Sequence, residues 1–388
     1  MKNRLTFVFL STTDWDAPQF GSRQQIALEL ARRGHRLLFI EVPRALHSFI
    51  SDPTGTRQAL HRMGKIRWID ETLAVYTPRP VLPIYYHPVS NWVNQRLLVR
   101  DVQRALKLVE WQADVVWTYW ANTAVFLHHF QHQGATAVYH CIDDFTAVSY
   151  PFVSSQTIAR MEIAQCQATD IIFARTQALT ERLRQHNPRC TRLPGGVDVE
   201  RFDPERVTAA ADITQLPHPI AGFVGTIDNR VDVPLLAACA ARLPHVSFVL
   251  VGPVKQYLVD IRPLKQLSNV YFFPAVPFEQ VPEVIAAFDA GLIPYQVNRY
   301  TNGLSPIKLY EYLAMAKPVT ATRLPYLERE AAHIALADDA DGFVKAVKTA
   351  VSTPPTSEQK AAWRQVAEEN AWYKQVDTIE NMLLTKHG

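Results

Sequence analysis

The feature that most constrains this chain is an alternation of short β-rich runs with helical patterns that runs through the first half, pauses, and begins again. Leu5–Leu10 reads as a strand, and Ser22–Arg33 as a helix with Ile26, Ala27, Leu30 and Ala31 on one face. Gly34-His35 closes that helix and Arg36–Val42 supplies a second strand. Further strands are expected at Val115–Thr118, Ala137–Cys141, Ile171–Ala174 and Thr191–Leu193. The order restarts with a strand at Ile220–Val224, a helix near Pro234–Ala241 and strands at Ser247–Val251 and Val270–Phe273. A helix near Val281–Phe288 and a strand at Ala290–Pro294 follow. A repeating βα order implies parallel sheets with helices on both faces. The fold class is therefore α/β, with two Rossmann-like doubly wound domains and a ligand cleft expected between the carboxyl ends of their sheets.

A length of 388 residues suits two domains of roughly 150–200 residues each. The expected division is an N-terminal domain over 1–194, a turn-rich linker over 195–218 and a second domain over 219–362, with C-terminal helices over 363–388. The stretch 44–90, rich in Pro, Arg and aromatics, reads as an insertion of loops and short strands. No run approaches the roughly 20 apolar residues of a membrane span. The apolar run at the start is too short for a secretory signal and lacks a cleavage site, so a cytoplasmic protein is expected. The four cysteines show no CxxC pair, which fits free thiols rather than a zinc site. Residues 1–190 hold 21 Lys/Arg against 15 Asp/Glu, while the remainder is slightly acidic. A basic first half suits an anionic partner such as a phospholipid surface or a pyrophosphate-linked acceptor; ordinary fluctuation of surface charge explains it equally well. No nucleic-acid motif is present.

The most informative segment is Asn302-Gly-Leu-Ser-Pro-Ile-Lys-Leu-Tyr-Glu-Tyr-Leu-Ala-Met-Ala-Lys-Pro-Val319. Ser305 can cap a helix whose first position is Pro306, where a missing N–H costs nothing. Gly303 lets backbone approach a ligand, and exposed amides at a helix start form a phosphate site. Lys308 falls in the first turn, where a cation opposes the helix dipole unless an anion shares the space. Glu311 lies one turn deeper on the same face and can accept both hydroxyls of a ribose. The alternative is a capped helix with a Lys308–Glu311 surface pair.

This segment resembles the SPxKxxEYLAxGKPV signature of GT-B glycosyltransferases of glycosyltransferase family 4, and among them the bacterial cell-envelope, teichuronic-acid-type transferases. Gly195-Gly-Val-Asp-Val-Glu-Arg-Phe202 is similar to the family's linker motif, Gly222-Phe-Val-Gly-Thr226 to the strand and turn that open its nucleotide domain. Val249–Pro253 and Asp289–Pro294 fit as well. The resemblance covers roughly 135–385 and implies a GT-B fold whose last helix returns to the N-terminal domain. It also implies an NDP-sugar-dependent hexosyltransferase without cofactor or metal, acting with retention on a lipid-linked or polysaccharide acceptor. Donor contacts would come from Gly225, Thr226, Gly303, Leu304, Ser305, Lys308 and Glu311, with Arg230 the one nearby cation available to a phosphate. Lys308 would also serve catalysis by stabilising the leaving diphosphate. The family often has a second Glu eight residues before the position of Glu311, and this chain has Gly303 there.

In the first half, Tyr139-His-Cys-Ile-Asp-Asp-Phe145 resembles a motif of the same envelope transferases. It nominates Asp143 and Asp144 for catalysis, as acceptor-orienting groups or a general base, and His140 for the acceptor side. Asp143 can instead cap the following helix. The polar loop Ser11–Arg23 adds Asp14 and Gly21 to the acceptor side, although Gly21 can equally be a plain turn. Over Trp92–Glu110, Arg96, Arg100, Arg104 and Lys107 share one face, and Val99, Val102, Leu106 and Val109 another. Such a helix either lies on anionic lipid, giving a peripheral association with the inner membrane surface, or simply packs its apolar side on a sheet. Two other functions remain open. One is a non-catalytic sugar-nucleotide-binding subunit of an envelope complex; the other is a sugar-nucleotide epimerase of the same fold.

Overall fold

The computed structural model describes residues 4–17, 20–44, 60–83, 85–147 and 153–387. Part of the stretch read as an insertion (45–59) lies outside these residues. The chain divides into two compact units, Met1–Pro194 together with the residues from Val376 onward, and Gly195–Gln375.

Among the described residues the first unit holds eight strands: β1 (Thr6–Leu10), β2 (Arg36–Ile40), β3 (Ile66–Trp68), β4 (Leu73–Tyr76), β5 (Val115–Thr118), β6 (Thr136–Cys141), β7 (Ile171–Ala174) and β8 (Cys190–Arg192). They form one sheet in the order β3-β4-β2-β1-β5-β6-β7-β8, in which only β3 is antiparallel to its neighbour. Strand β1 pairs with β2 on one side and β5 on the other, so the order reverses there. The central strands are mainly apolar and almost completely buried, as sheets covered on both faces require. β3 and β4 extend the edge of this sheet. The region 60–83 is thus part of the domain and no insertion, because Leu73–Tyr76 buries every side chain in register with β2.

The long helix Pro88–Leu108 lays Leu98, Val99, Val102, Ala105 and Leu106 on the sheet. The helix Trp372–His387 begins in the second unit and continues in the first. There Glu380 accepts from Arg33 at 3.0 Å and pairs with His35 at 3.0 Å, while Asp377 binds Arg33 at 2.7 Å.

The second unit holds β9 (Ile220–Val224), β10 (Ser247–Val251), β11 (Val270–Phe273), β12 (Ala290–Ile293), β13 (Val319–Thr322) and β14 (Ala335–Ala337). All are parallel, in the order β11-β10-β9-β12-β13-β14, and the reversal falls between β9 and β12. The sequence reading misses β13 and β14, because three- and four-residue runs such as Ala335–Ala337 carry too little periodicity. The acidic run after β14 starts a helix as its composition suggests, with Asp339 accepting from the Gly342 amide at 2.8 Å. The four cysteines are buried free thiols.

Candidate functional site: the reversal point of the second sheet

Two glycines let an aromatic layer settle onto the second sheet. A Cβ on Gly222 would lie 2.3 Å from the Phe288 ring, and one on Gly291 would lie 2.5 Å from the Tyr312 ring. Tyr312, on the helix Lys308–Ala314, accepts from the Val224 amide at 3.1 Å. That helix is therefore fixed against β9 and β12, and its first residue is delivered to the sheet's carboxyl edge.

At that edge the Lys308 ammonium donates to the Tyr295 hydroxyl at 2.5 Å. It also lies 4.7 Å from the Phe223 ring centre and 4.9 Å from that of Tyr295, an aromatic cradle for a cation. The turn after β9 closes over the same atom, since a Cβ on Gly225 would sit 3.2 Å from Lys308 Nζ. Gly225 and Gly252 both have left-handed backbone (φ +146° and +143°), and a Cβ on Gly252 would lie 2.2 Å from the Gly225 carbonyl oxygen. Only glycine fits either position. Glu311 is buried, and burial raises its carboxyl to about 7 although Lys308 pulls the other way. No ion pair joins Lys308 and Glu311 among the described residues, so the surface-pair reading fails. An ammonium held by Tyr295 and a buried carboxyl with no hydrogen bond among the described residues thus stand one turn from each other.

The Ser305 cap also fails. The helix starts at Lys308 with Ile307 as cap and no side-chain bond, while Pro306 and Ile307 carbonyls accept from Leu309 and Tyr310. Ser305 is buried instead beneath the linker, where Gly195 packs on Ile307 and Ser305, and its hydroxyl has no protein partner. Gly303 ends the short helix Arg299–Asn302 at φ −84°, a conformation open to any residue. Leu304 follows it, its amide bonded to Thr301. Thr226 is buried beside Gly225. Arg230 is held by Asp228 through contacts of 2.7 to 3.1 Å, so its charge already has a partner.

The residues nominated in the first unit take different parts. Asp14 is engaged by Arg44 at 2.5 Å and by the Val42 amide, which makes it a tie between loop and strand rather than a free acceptor-side group. Gly21 caps the helix Ser22–Arg32 at φ −104°, and a Cβ there would meet nothing. Asp144 accepts from the Thr146 amide and hydroxyl, starting the 3-10 turn Phe145–Ala147, so this capping falls to Asp144 rather than Asp143. Among the described residues the Asp143 carboxylate has no hydrogen-bond donor. His140 is buried within β6 between Trp117, Tyr119 and Phe173. Burial, with Arg175 and Arg23 nearby, pushes its pKa well below the usual range, so the ring is neutral. Among the described residues no three His, Cys, Asp or Glu side chains form a group able to hold a metal.

Comparison with known proteins bears on the second unit most directly. The family "Glycosyl transferases group 1" matches residues 218–353. Residues 218–353 are a group 1 glycosyl transferase domain. This domain contains the whole Lys308 cluster, from Phe223 and Gly225 through Tyr295 to Glu311. The Bacillus subtilis (strain 168) protein named "Putative teichuronic acid biosynthesis glycosyltransferase TuaH" is 32% identical over 135 residues, which is 34% of this chain and 34% of that protein. The chain thus matches about a third of its curated relative's length.

Solved structures match over almost the whole chain. The E. coli trehalose-6-phosphate structure bound with UDP-2-fluoro glucose has a TM-score of 0.69 at 12% identity, covering 97% of this chain and 99% of that one. Anabaena Alr3699/HepE in complex with UDP has a TM-score of 0.65 at 16% identity, covering 99% and 100%. Sucrose-phosphate synthase from Thermosynechococcus elongatus gives 0.66 at 15%, covering 99% and 98%. The fold is GT-B. Within the glycosyl transferase domain, sequence reasoning misses Tyr295, Phe223 and Gly252. Tyr295 lies just past β12, at the position where parallel strands present ligand-facing residues, and that placement is the signal that could have found it.

Proposed function

We propose that the protein transfers a hexose-like sugar from a nucleoside-diphosphate sugar to a hydroxyl of a glycan or lipid-linked acceptor in cell-envelope glycan synthesis, without cofactor or metal and with retention. The observation that carries this reading is the pairing of Lys308, cradled by Tyr295 and Phe223, with the unpartnered buried Glu311 at the reversal point of a group 1 glycosyl transferase domain. Lys308 would meet the donor diphosphate and stabilise charge developing on the leaving group. Glu311, once ionised, would accept the two ribose hydroxyls. Gly225 and Thr226 would pass close to the phosphates, with the Ser305 amide on the other side, since the amides of Gly303 and Leu304 already donate to the Tyr300 and Thr301 carbonyls. Arg230 would reach a phosphate only through guanidinium edges that Asp228 leaves unbonded. Asp143, whose carboxylate has no hydrogen-bond donor among the described residues, would orient the acceptor.

Structural neighbours solved with UDP and with UDP-2-fluoro glucose support a uridine donor, and the Bacillus subtilis relative's name supports an envelope role. Lys308→Ala is expected to abolish stabilisation by UDP in a thermal-shift assay, and unchanged affinity would refute the assignment. Release of free UDP from a UDP-sugar separates a transferase from a binding subunit, which would bind without turnover. Anomeric analysis of the product tests retention, and an inverted linkage would overturn it.

Among the described residues no helix is long and apolar enough to cross a membrane. Peripheral attachment to the cytoplasmic membrane face is supported by the helix Pro88–Leu108, which exposes Val89, Trp92, Leu97 and Leu108 beside Arg96 and Arg100. Flotation on vesicles containing phosphatidylglycerol tests it; a protein that stays at the bottom of the gradient is not attached this way.

A further inference from the structure

The helix that begins at Lys308 ends at Ala314, and beyond that end the second unit holds a cavity of about 640 Å³. Every residue that lines it falls within Gly195–Gln375. Asp289, just before β12, and Pro318, just before β13, place it at the amino edge of the second sheet. Lys308, Gly225 and Tyr295 belong to the carboxyl edge of that sheet. The cavity and the Lys308 cluster therefore lie at opposite ends of the same parallel strands.

Three cations line the cavity: Lys317, Lys360 and Arg364. Lys360 and Arg364 stand one turn apart on one face of the helix Ser357–Glu369, which packs on the helix Lys308–Ala314. Arg364 is anchored at one corner, where Nη1 donates to the Phe202 carbonyl at 2.7 Å and the Ala314 carbonyl at 2.8 Å. Those two bonds occupy both hydrogens of Nη1. The Nε and Nη2 edge of the guanidinium has no partner among the described residues. That edge is the fork that matches two oxygens of an oxyanion. Lys317 donates to the Ala286 carbonyl at 2.8 Å and forms no ion pair among the described residues. Burial lowers its pKa, opposed by Asp289 and reinforced by the like charge of Lys360.

Two of the acids in the lining are already engaged. Asp203 accepts from the Glu205 amide at 3.0 Å and lies 3.8 Å from Arg206. Asp289 accepts from the Ile220 amide at 2.7 Å and pairs with His218 at 2.8 Å. The third, Glu205, is exposed to solvent. Three cations that no carboxylate neutralises at close range give the cavity an attraction for anions. Its volume far exceeds that of an inorganic phosphate and falls within the range of small-molecule pockets. Pro318, Pro355 and Ala361 supply apolar wall for a ligand's body. Three positive charges also favour a doubly charged head over a singly charged one.

We propose that this cavity binds a small organic phosphate monoester, its head on the free Arg364 fork with Lys317 and Lys360 alongside, and its body against Pro318, Pro355 and Ala361. The site goes beyond the transferase reading and does not rest on it.

Calorimetric titration of the full-length protein with phenyl phosphate tests the site, and saturable binding is expected. Inorganic phosphate should bind several-fold more weakly for want of a body, and benzoate several-fold more weakly for want of the second charge. Arg364→Gln should weaken phenyl phosphate about tenfold to a hundredfold, the value of a charge-assisted contact. Arg364 also ties two carbonyls, so Lys360→Gln keeps the test decisive if that variant misfolds. Lys360 is exposed, and its loss should weaken binding several-fold with an unchanged melting temperature. Lys308→Ala, at the other edge of the sheet, should leave this binding in place. Absence of saturable binding, or binding that Arg364→Gln and Lys360→Gln leave unchanged, overturns the proposal. Inorganic phosphate or benzoate binding as tightly as phenyl phosphate overturns the choice of an organic monoester.

Discussion

Replacing Glu311 by Gln tests whether this carboxyl is held for a ligand at the expense of stability. Burial raises it from an ordinary 4.5 to about 7 in the folded protein. Below pH 4.5 both folded and unfolded chains keep the proton, and burial of the ionised form costs nothing. As pH rises from 4.5 towards 7 the unfolded chain releases its proton while the folded chain retains it, so stability falls. Above 7 the penalty is complete, about 3 kcal/mol at 1.36 kcal/mol per tenfold. A glutamine side chain there would fill nearly the same volume with no charge. Urea unfolding of the ligand-free protein at pH 5, 6, 7 and 8 should show Glu311→Gln more stable than the parent by up to about 3 kcal/mol at pH 8. The difference should shrink towards pH 5. UDP affinity should move oppositely, because a neutral amide cannot accept two hydroxyls as a carboxylate does, and the parent should bind more weakly as pH falls below 7. A difference in stability that is the same at every pH, or a Gln variant less stable at pH 8, would refute the account of the carboxyl as buried and unpartnered.

Gly252→Ala places a methyl 2.2 Å from the Gly225 carbonyl oxygen at φ +143°, so a loss of roughly 3 kcal/mol or more is expected; a melting temperature within a degree of the parent would contradict it. Tyr295→Phe removes the hydroxyl that holds Lys308 but keeps both rings, and should weaken UDP binding several-fold, about 1 kcal/mol, with little change in melting. Equal or tighter binding would show that Tyr295 does not position the ammonium. Gly303→Glu restores the acid that the family resemblance leads one to look for. Its Cβ would meet only the Tyr300 carbonyl at 3.4 Å, so stability should change by less than about 0.5 kcal/mol. Donor-sugar preference should shift, as read by UDP release from a panel of UDP-sugars, and an unchanged preference would remove position 303 from the sugar's surroundings.

The repeating βα order, the two sheets and the helix bearing Lys308 and Glu311 are legible in the sequence, because periodicity and burial act locally and most strands are mainly apolar runs. Val115–Thr118, Ile171–Ala174, Ile220–Val224 and Ser247–Val251 are found at their expected bounds. What the chain's order cannot express is which side chains share a point in space. Ser305 has every local mark of a helix cap, yet it is buried against Gly195, over a hundred positions away, and the helix starts at Lys308. Asp14 looks like a free acid until Arg44 arrives from the end of β2 to bind it. Lys308 and Glu311 look like a pair one turn apart, but Tyr295 at the end of β12 takes the ammonium and packing buries the carboxyl. Ser22 and Arg175 are ordinary polar residues more than 150 positions apart until the sheet sets the end of β7 beside the start of the helix Ser22–Arg32. Local chemistry along the chain determined the elements and singled out the helix that bears Lys308 and Glu311. The tertiary structure alone decided which of its charges stay available, because burial and hydrogen-bond partners come from strands that meet only when the sheet forms.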